Sequence, residues 1–234
     1  MAETVVLVPG LACTARLFEP QISALSEGRD IIVADHTQDD SIPAIAARLL
    51  KSAPERFSLA GLSMGGYIAM EVMRQAPERV QRLALLDTSP RPDTPEATRD
   101  RERLIALAEA GRYEQIFPQI WPKLVHPERQ GDTALQETVF GMMRETGPGA
   151  YVRQQRAIIG RADSRPLLPS IEIPTLILVG DGDLITPPEI AREMADMIEW
   201  ASLVVIPDSG HSSTLEQPER VNRALQMWLE EGMK

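Results

Sequence analysis

Ser63 stands in Gly61-Leu62-Ser63-Met64-Gly65, a G-x-S-x-G pattern. The apolar run Phe57–Ala60 precedes it, and Tyr67–Gln75, with apolar residues at helical spacing, follows it. Strand, tight turn and helix in that order hold a serine on a strained bend with its hydroxyl exposed above a sheet; flanking glycines remove the side chains that would clash. The helix that follows aims its positive end at a developing oxyanion. A bare G-x-S-x-G also occurs as a plain glycine-rich turn. The strand and helix around this one predict that Ser63 is a nucleophile.

A serine nucleophile needs a base, and the chain has three histidines. His211, in Pro207-Asp208-Ser209-Gly210-His211, follows the last apolar run, Leu203–Ile206, so it falls at the same carboxyl edge of the sheet as Ser63. It is the expected base. His36, after the run Asp30–Ala34, reads as a pocket-lining residue and a weaker base, and His126, beside Pro127, as a surface residue. For the acid that orients the imidazole, Asp183 in Gly180-Asp181-Gly182-Asp183 is preferred, because it lies deeper in its loop and nearer the helix at Pro187; Asp181 and Asp87 stay open as alternatives. The chain order Ser, Asp, His is that of α/β hydrolases rather than of the protease folds. Oxyanion donors are expected at the Met64 N–H, next to the nucleophile, and at the Leu11 N–H in Pro9-Gly10-Leu11, where Gly10 permits close approach; a plain Pro-Gly turn would read the same way.

These residues need a frame. Six short apolar runs, Thr4–Val8, Asp30–Ala34, Phe57–Ala60, Arg82–Leu86, Thr175–Val179 and Leu203–Ile206, do not alternate with polar residues, as in strands covered on both faces. Helical patterns lie between them. Ser41 is a plausible N-cap for the first, Thr186-Pro187-Pro188-Glu189 has the form of a capping box, and a last helix starts near Pro218. The alternation predicts an α/β fold, a mostly parallel sheet with helices on both faces. Residues 90–169 contain no convincing strand; Arg101–Gly111, Tyr113–Leu124, Asp132–Thr146 and Ala150–Gly160 all read as helix. The expected organisation is a core of residues 1–89 and 170–234 with a helical lid, 90–169, inserted; the bland alternative is extra helices packed on the sheet. Phe117, Trp121, Phe140, Met142 and Met143 suit the lid's pocket side or its own core. Arg156, Arg161, Asp163 and Arg165 read as a surface ion-pair network fixing the lid onto the core rather than as an anion site.

The net charge of −10 argues against nucleic acid and anionic membrane surfaces as partners. The single cysteine, Cys13, forms no intrachain disulfide and reads as a small packing residue; one cysteine and no basic n-region at the start imply a cytoplasmic location. No run is long enough to cross a bilayer. No zinc-ligand spacing and no phosphate or dinucleotide fingerprint is present, so no metal or cofactor is expected. Leu7-Val8-Pro9-Gly10, Gly61 through Gly66, Pro174 through Asp183 with Pro187, and Gly210-His211 with Glu216 and Pro218 together resemble the α/β-hydrolase superfamily, in its compact, lid-bearing, esterase-like branch. The resemblance covers most of the core but not the lid. It implies Ser63 as nucleophile, Asp183 as acid, His211 as base and Leu11 and Met64 as oxyanion donors. Two features depart from many relatives: Pro9 replaces a histidine before the oxyanion glycine, and Asp35–Ser41 replaces a glycine-rich segment. The expected activity is hydrolysis of a small or medium carboxylic ester, lactone or thioester. C–C bond hydrolysis, lyase or perhydrolase chemistry on the same triad is the alternative, and a non-catalytic receptor the remoter one.

Overall fold

A computed structural model describes residues 3–230; the ends of the predicted core, 1–2 and 231–234, lie outside them. The chain runs β1 (Glu3–Val8), α1 (Glu19–Leu25), β2 (Arg29–Val33), α2 (Ile42–Ser52), β3 (Phe57–Leu62), α3 (Met64–Gln75), β4 (Val80–Leu86), α4 (Pro95–Glu109), α5 (Phe117–Leu124), α6 (Thr133–Ile159), β5 (Thr175–Gly180), α7 (Pro188–Met197), β6 (Ala201–Ile206), the one-turn α8 (Ser213–Glu216) and α9 (Pro218–Glu230). The sheet order is β2-β1-β3-β4-β5-β6, every neighbouring pair parallel. After β2 the chain crosses back over β1 to form β3, so the order reverses at β1/β3. The loops after those two strands therefore diverge and leave a crevice at the carboxyl edge.

All six expected strands are present, and each predicted run falls within or overlaps an observed strand. One expectation needs correction. β2 and β6 are not covered on both faces. They are the sheet's two edges, and Ile32 and Val205 on them are exposed. An apolar run alone does not distinguish an edge strand from a central one. The central strands split their side chains between two cores: Val5 and Leu7 face one way, with α1 and α9, and Val6 and Val8 the other, with α2, α3 and α7.

Between β4 and β5 there is no strand among the described residues, only α4–α6 and short turns. α4 starts at Pro95 rather than Arg101, because Thr94 caps it by accepting from the Ala97 N–H and Pro95 suits a first helical position. The two helices expected over 132–160 abut as α6, broken at Gly147, whose φ of 74° suits glycine, and Pro148. Ser41 caps α2 as expected. The capping box at Thr186 does not form: Pro187 occupies the cap position of α7 with no side-chain bond, and the Thr186 hydroxyl bonds elsewhere.

Candidate active site

Ser63 occupies the turn from β3 into α3 with φ 56° and ψ −115°, a conformation an L-residue holds only when its surroundings impose it. The turn can be this tight because its neighbours lack side chains. A Cβ on Gly61 would lie 2.2 Å from the Gly65 carbonyl oxygen, and one on Gly65 1.9 Å from that of Val8. Three bonds lock it: the Ser63 N–H donates to the Leu86 carbonyl at 2.9 Å, and the Gly66 N–H (2.9 Å) and the Thr88 hydroxyl (2.7 Å) donate to the Ser63 carbonyl.

His211 Nε2 lies 2.9 Å from Ser63 Oγ, and His211 Nδ1 lies 2.8 Å from Asp183 Oδ2. The carboxylate is fixed in turn by the Ile185 N–H at 2.8 Å, the Thr186 N–H at 3.0 Å and the Thr186 hydroxyl at 2.7 Å. Burial opposes charge on both partners, yet each favours the other's ionised form. The charge of His211 and its hydrogen bond hold Asp183 below the usual carboxylate value, and Asp183 holds His211 above the usual imidazole value. The His211 loop is anchored by buried Glu216, which accepts from the N–H groups of Gly210 (2.9 Å), Ser212 (3.2 Å) and His126 (2.7 Å).

The two alternative acids serve other ends. Asp87 is fully buried; it accepts from the Gly180 N–H at 2.9 Å and from the Ser213 hydroxyl. Burial, then the nearby Asp183 charge, push its carboxyl well above the usual range, which favours the neutral form. Asp181 accepts from the Ser209 N–H at 3.2 Å. His36 does not reach Ser63. Its Nε2 lies 2.9 Å from the Gly10 carbonyl, so that nitrogen must carry the proton it donates. Burial lowers the pKa of His36, which favours the neutral ring. The Gly10 carbonyl and the Leu11 N–H belong to one trans peptide and point opposite ways, so holding the first aims the second. From the other side, Gln154 on α6 accepts the Ala12 N–H at 3.0 Å. Met64 is the first residue of α3, where an N–H has no intrahelical acceptor.

A cavity of about 180 Å³ opens on Ser63 and His211 and is lined by Leu11 and, from the inserted helices, by Phe117, Met142 and Met143. Residues 5–224 match the Alpha/beta hydrolase family. The chain belongs to that family. A pimeloyl-(acyl-carrier protein) methyl ester esterase of Nitrosomonas europaea is 29% identical over 92% of this chain and 85% of its own length. An (E)-2-((N-methylformamido)methylene)succinate hydrolase of Acinetobacter baylyi is 27% identical over 97% and 90%. Among solved structures, a thermophilic esterase of Thermogutta terrifontis, malate bound, superposes with a TM-score of 0.89 at 29% identity, covering 99% of this chain and 91% of that one.

Within this hydrolase the other sequence candidates find their places. Trp121 and Phe140 stack on Phe117, with ring centroids 5.7 and 4.5 Å apart, behind the cavity wall. Burial pushes the Cys13 thiol up to about 12, so it packs rather than reacts. His126 is half-buried, not a surface residue, because its backbone docks on Glu216. Arg156, Arg161 and Arg165 form ion pairs as expected, but with Glu109, Asp93 and Asp163, all within residues 90–169, so these pairs tie the insertion to itself and not to the core. Sequence reasoning missed the roles of Thr186 and Gln154 and the polar wall of the cavity, where Arg101, Tyr151 and Gln155 meet. Thr186, three residues after Asp183, carried a usable signal, since a hydroxyl at that spacing can bond back to a carboxylate. Gln154 and the polar wall carried none, because they depend on how α4 and α6 pack.

Proposed function

We propose that this α/β hydrolase cleaves a carboxylic ester of small or medium size through an acyl-enzyme on Ser63. The observation that carries the reading is the continuous hydrogen-bond chain Ser63–His211–Asp183, at 2.9 and 2.8 Å, opening on a largely apolar cavity. Ser63 Oγ attacks the carbonyl carbon while His211 Nε2 takes its proton. Asp183 keeps the His211 proton on Nδ1 and stabilises the imidazolium. The Leu11 and Met64 N–H groups hold the oxyanion, with His36 and Gln154 as positioning residues for the loop that carries Leu11. The tetrahedral intermediate collapses, and His211 gives its proton to the departing alkoxide. Water then attacks the acyl carbon through the same base and restores the Ser63 hydroxyl. Residues 90–169 act as the lid that excludes bulk water, and no cofactor is required. The chain's acidity favours a small-molecule substrate over nucleic acid or membrane, and its single cysteine suits the cytoplasm. The esterases among its relatives support the ester bond as the target.

The test is fluorophosphonate labelling read by mass spectrometry, together with a panel of 4-nitrophenyl and methyl esters. Label on Ser63, and its loss together with ester turnover in Ser63→Ala, is the expected result. A wild-type protein that is not labelled at Ser63 overturns the reading. Labelling without ester turnover transfers the triad to C–C hydrolysis, lyase or perhydrolase chemistry.

A further inference from the structure

The cavity above Ser63 has one polar wall, made by Arg101 from α4 and Tyr151 and Gln155 from α6. Its hydrogen bonds have a fixed direction. A guanidinium can only donate, so Arg101 Nη1, 2.8 Å from Gln155, must face the amide oxygen Oε1. That turns the Gln155 Nε2 group toward Tyr151, where it donates to the phenol oxygen at 2.6 Å. With its oxygen accepting there, the Tyr151 O–H is left to donate onward, and no acceptor meets it among the described residues. The far end of the chain starts at Asp93, almost wholly buried, which takes Arg101 Nε at 3.2 Å and Arg161 Nη1 at 2.6 Å. One carboxylate between two guanidiniums leaves positive charge over, and Arg101 Nη2 has no protein acceptor among the described residues. Among the described residues no acidic side chain lines the cavity. Burial raises the Tyr151 pKa, so the phenol keeps its proton at neutral pH.

We propose that Arg101 and Tyr151 form a carboxylate-binding subsite, so that the substrate is an ester that also carries a free carboxylate, such as a half-ester of a short dicarboxylic acid. Donors without an acceptor, beside a guanidinium only partly neutralised, select an anion over a neutral carbonyl. Apart from Ser63, His211, Ser212 and Tyr67, the rest of the wall is apolar and fits the carbon chain between the two carboxyl groups. The inference rests on the hydrolase reading above for the ester bond, but the subsite itself does not depend on catalysis.

Two measurements separate the two claims. The first compares kcat/KM for 4-nitrophenyl half-esters of succinate, glutarate and adipate with the same compounds capped as methyl esters. Wild type should prefer at least one acid over its capped partner by roughly 10- to 100-fold, the range for a hydrogen-bonded charge. Arg101→Gln should collapse that ratio toward one, mainly through KM, and Arg101→Lys should restore part of it. Gln155→Glu is the second route, should Arg101→Gln fail to fold. A carboxylate there neutralises Arg101 and draws the Tyr151 proton to itself, so the ratio should collapse again with both donors still present. The second measurement is calorimetric titration of Ser63→Ala with free glutarate and adipate, where Arg101→Gln should weaken binding by the same factor. No preference for any acid in wild type, or equal losses on acid and capped ester in both variants, overturns the subsite. Dicarboxylate binding that needs Arg101, in a protein that hydrolyses no ester, keeps the subsite and overturns the ester reading.

Discussion

In the proposed reaction His211 must be neutral to accept the Ser63 proton, so its protonation switches catalysis off. Burial alone would lower its pKa, but the Asp183 carboxylate at 2.8 Å outweighs burial and holds it above the ordinary 6.5. A base with a raised pKa is lost earlier as the pH falls, so the acidic limb of kcat/KM should lie above pH 6.5. Asp183→Asn removes the charge that raises it. Activity should fall by roughly 10³- to 10⁴-fold, and the limb of the residual activity should move to lower pH. Asp87→Asn is the control that separates the two acids. An amide can still accept the Gly180 N–H with its oxygen and donate from its nitrogen to a Ser213 hydroxyl turned to receive it, so the loss should stay within a few-fold. Stopped-flow pH profiles of the three proteins decide the matter. A large loss in Asp87→Asn with a small one in Asp183→Asn would reverse the assignment.

At the scale of elements, the oxyanion loop after β1 is shaped by parts distant in sequence. His36, from the loop after β2, holds the Gly10 carbonyl, and Gln154, from α6, holds the Ala12 N–H. His36→Leu leaves that carbonyl only the longer bond from the Cys13 N–H, at 3.2 Å, and so loosens the peptide. We expect kcat to fall by about 10- to 100-fold, less than the loss of an oxyanion donor outright, with KM little changed. His36→Gln, whose amide N–H can reach the same oxygen, should recover much of it. A boronate that mimics the tetrahedral intermediate should lose affinity in parallel with kcat, a readout that a purely structural role would leave alone. The strand-turn-helix around Ser63 was legible in sequence because glycine spacing and short apolar runs are local signals. So was His211, since it directly follows a strand. Thr186 was misread as a cap because one hydroxyl suited two partners, and only the packed loop decides between them. His36 carried a visible ring but no visible target, because the Gly10 carbonyl reaches it through a parallel strand pairing that the chain closes over 26 residues.

At the scale of the molecule, residues 90–169 do more than cover the cavity. Trp121, Met142 and Tyr151 from the inserted helices share one apolar cluster with Leu7 and Leu176 of the sheet and Trp228 of α9. Polar ties cross the same boundary, from Glu216 to the His126 N–H, from the Leu124 carbonyl to the Ser212 N–H and from Glu145 to Arg16. The insertion also closes on itself, the Ser164 N–H donating to the Pro90 carbonyl at 2.8 Å. A segment whose apolar face is the core's own cover cannot melt alone without exposing that face to water, at a cost of about 25 cal/mol per Å². The inserted helices and the sheet should therefore unfold together. The tryptophans supply the probes, with Trp121 in α5, Trp228 in α9 and Trp200 exposed. In a variant keeping only Trp121 and another keeping only Trp228, fluorescence and far-UV circular dichroism should give coincident urea midpoints within each protein. A Trp121 signal lost at lower urea than the helical signal, with Trp228 still native, would make the insertion an independent unit. Access to Ser63 would then be governed by melting of the lid rather than by the width of the cavity mouth.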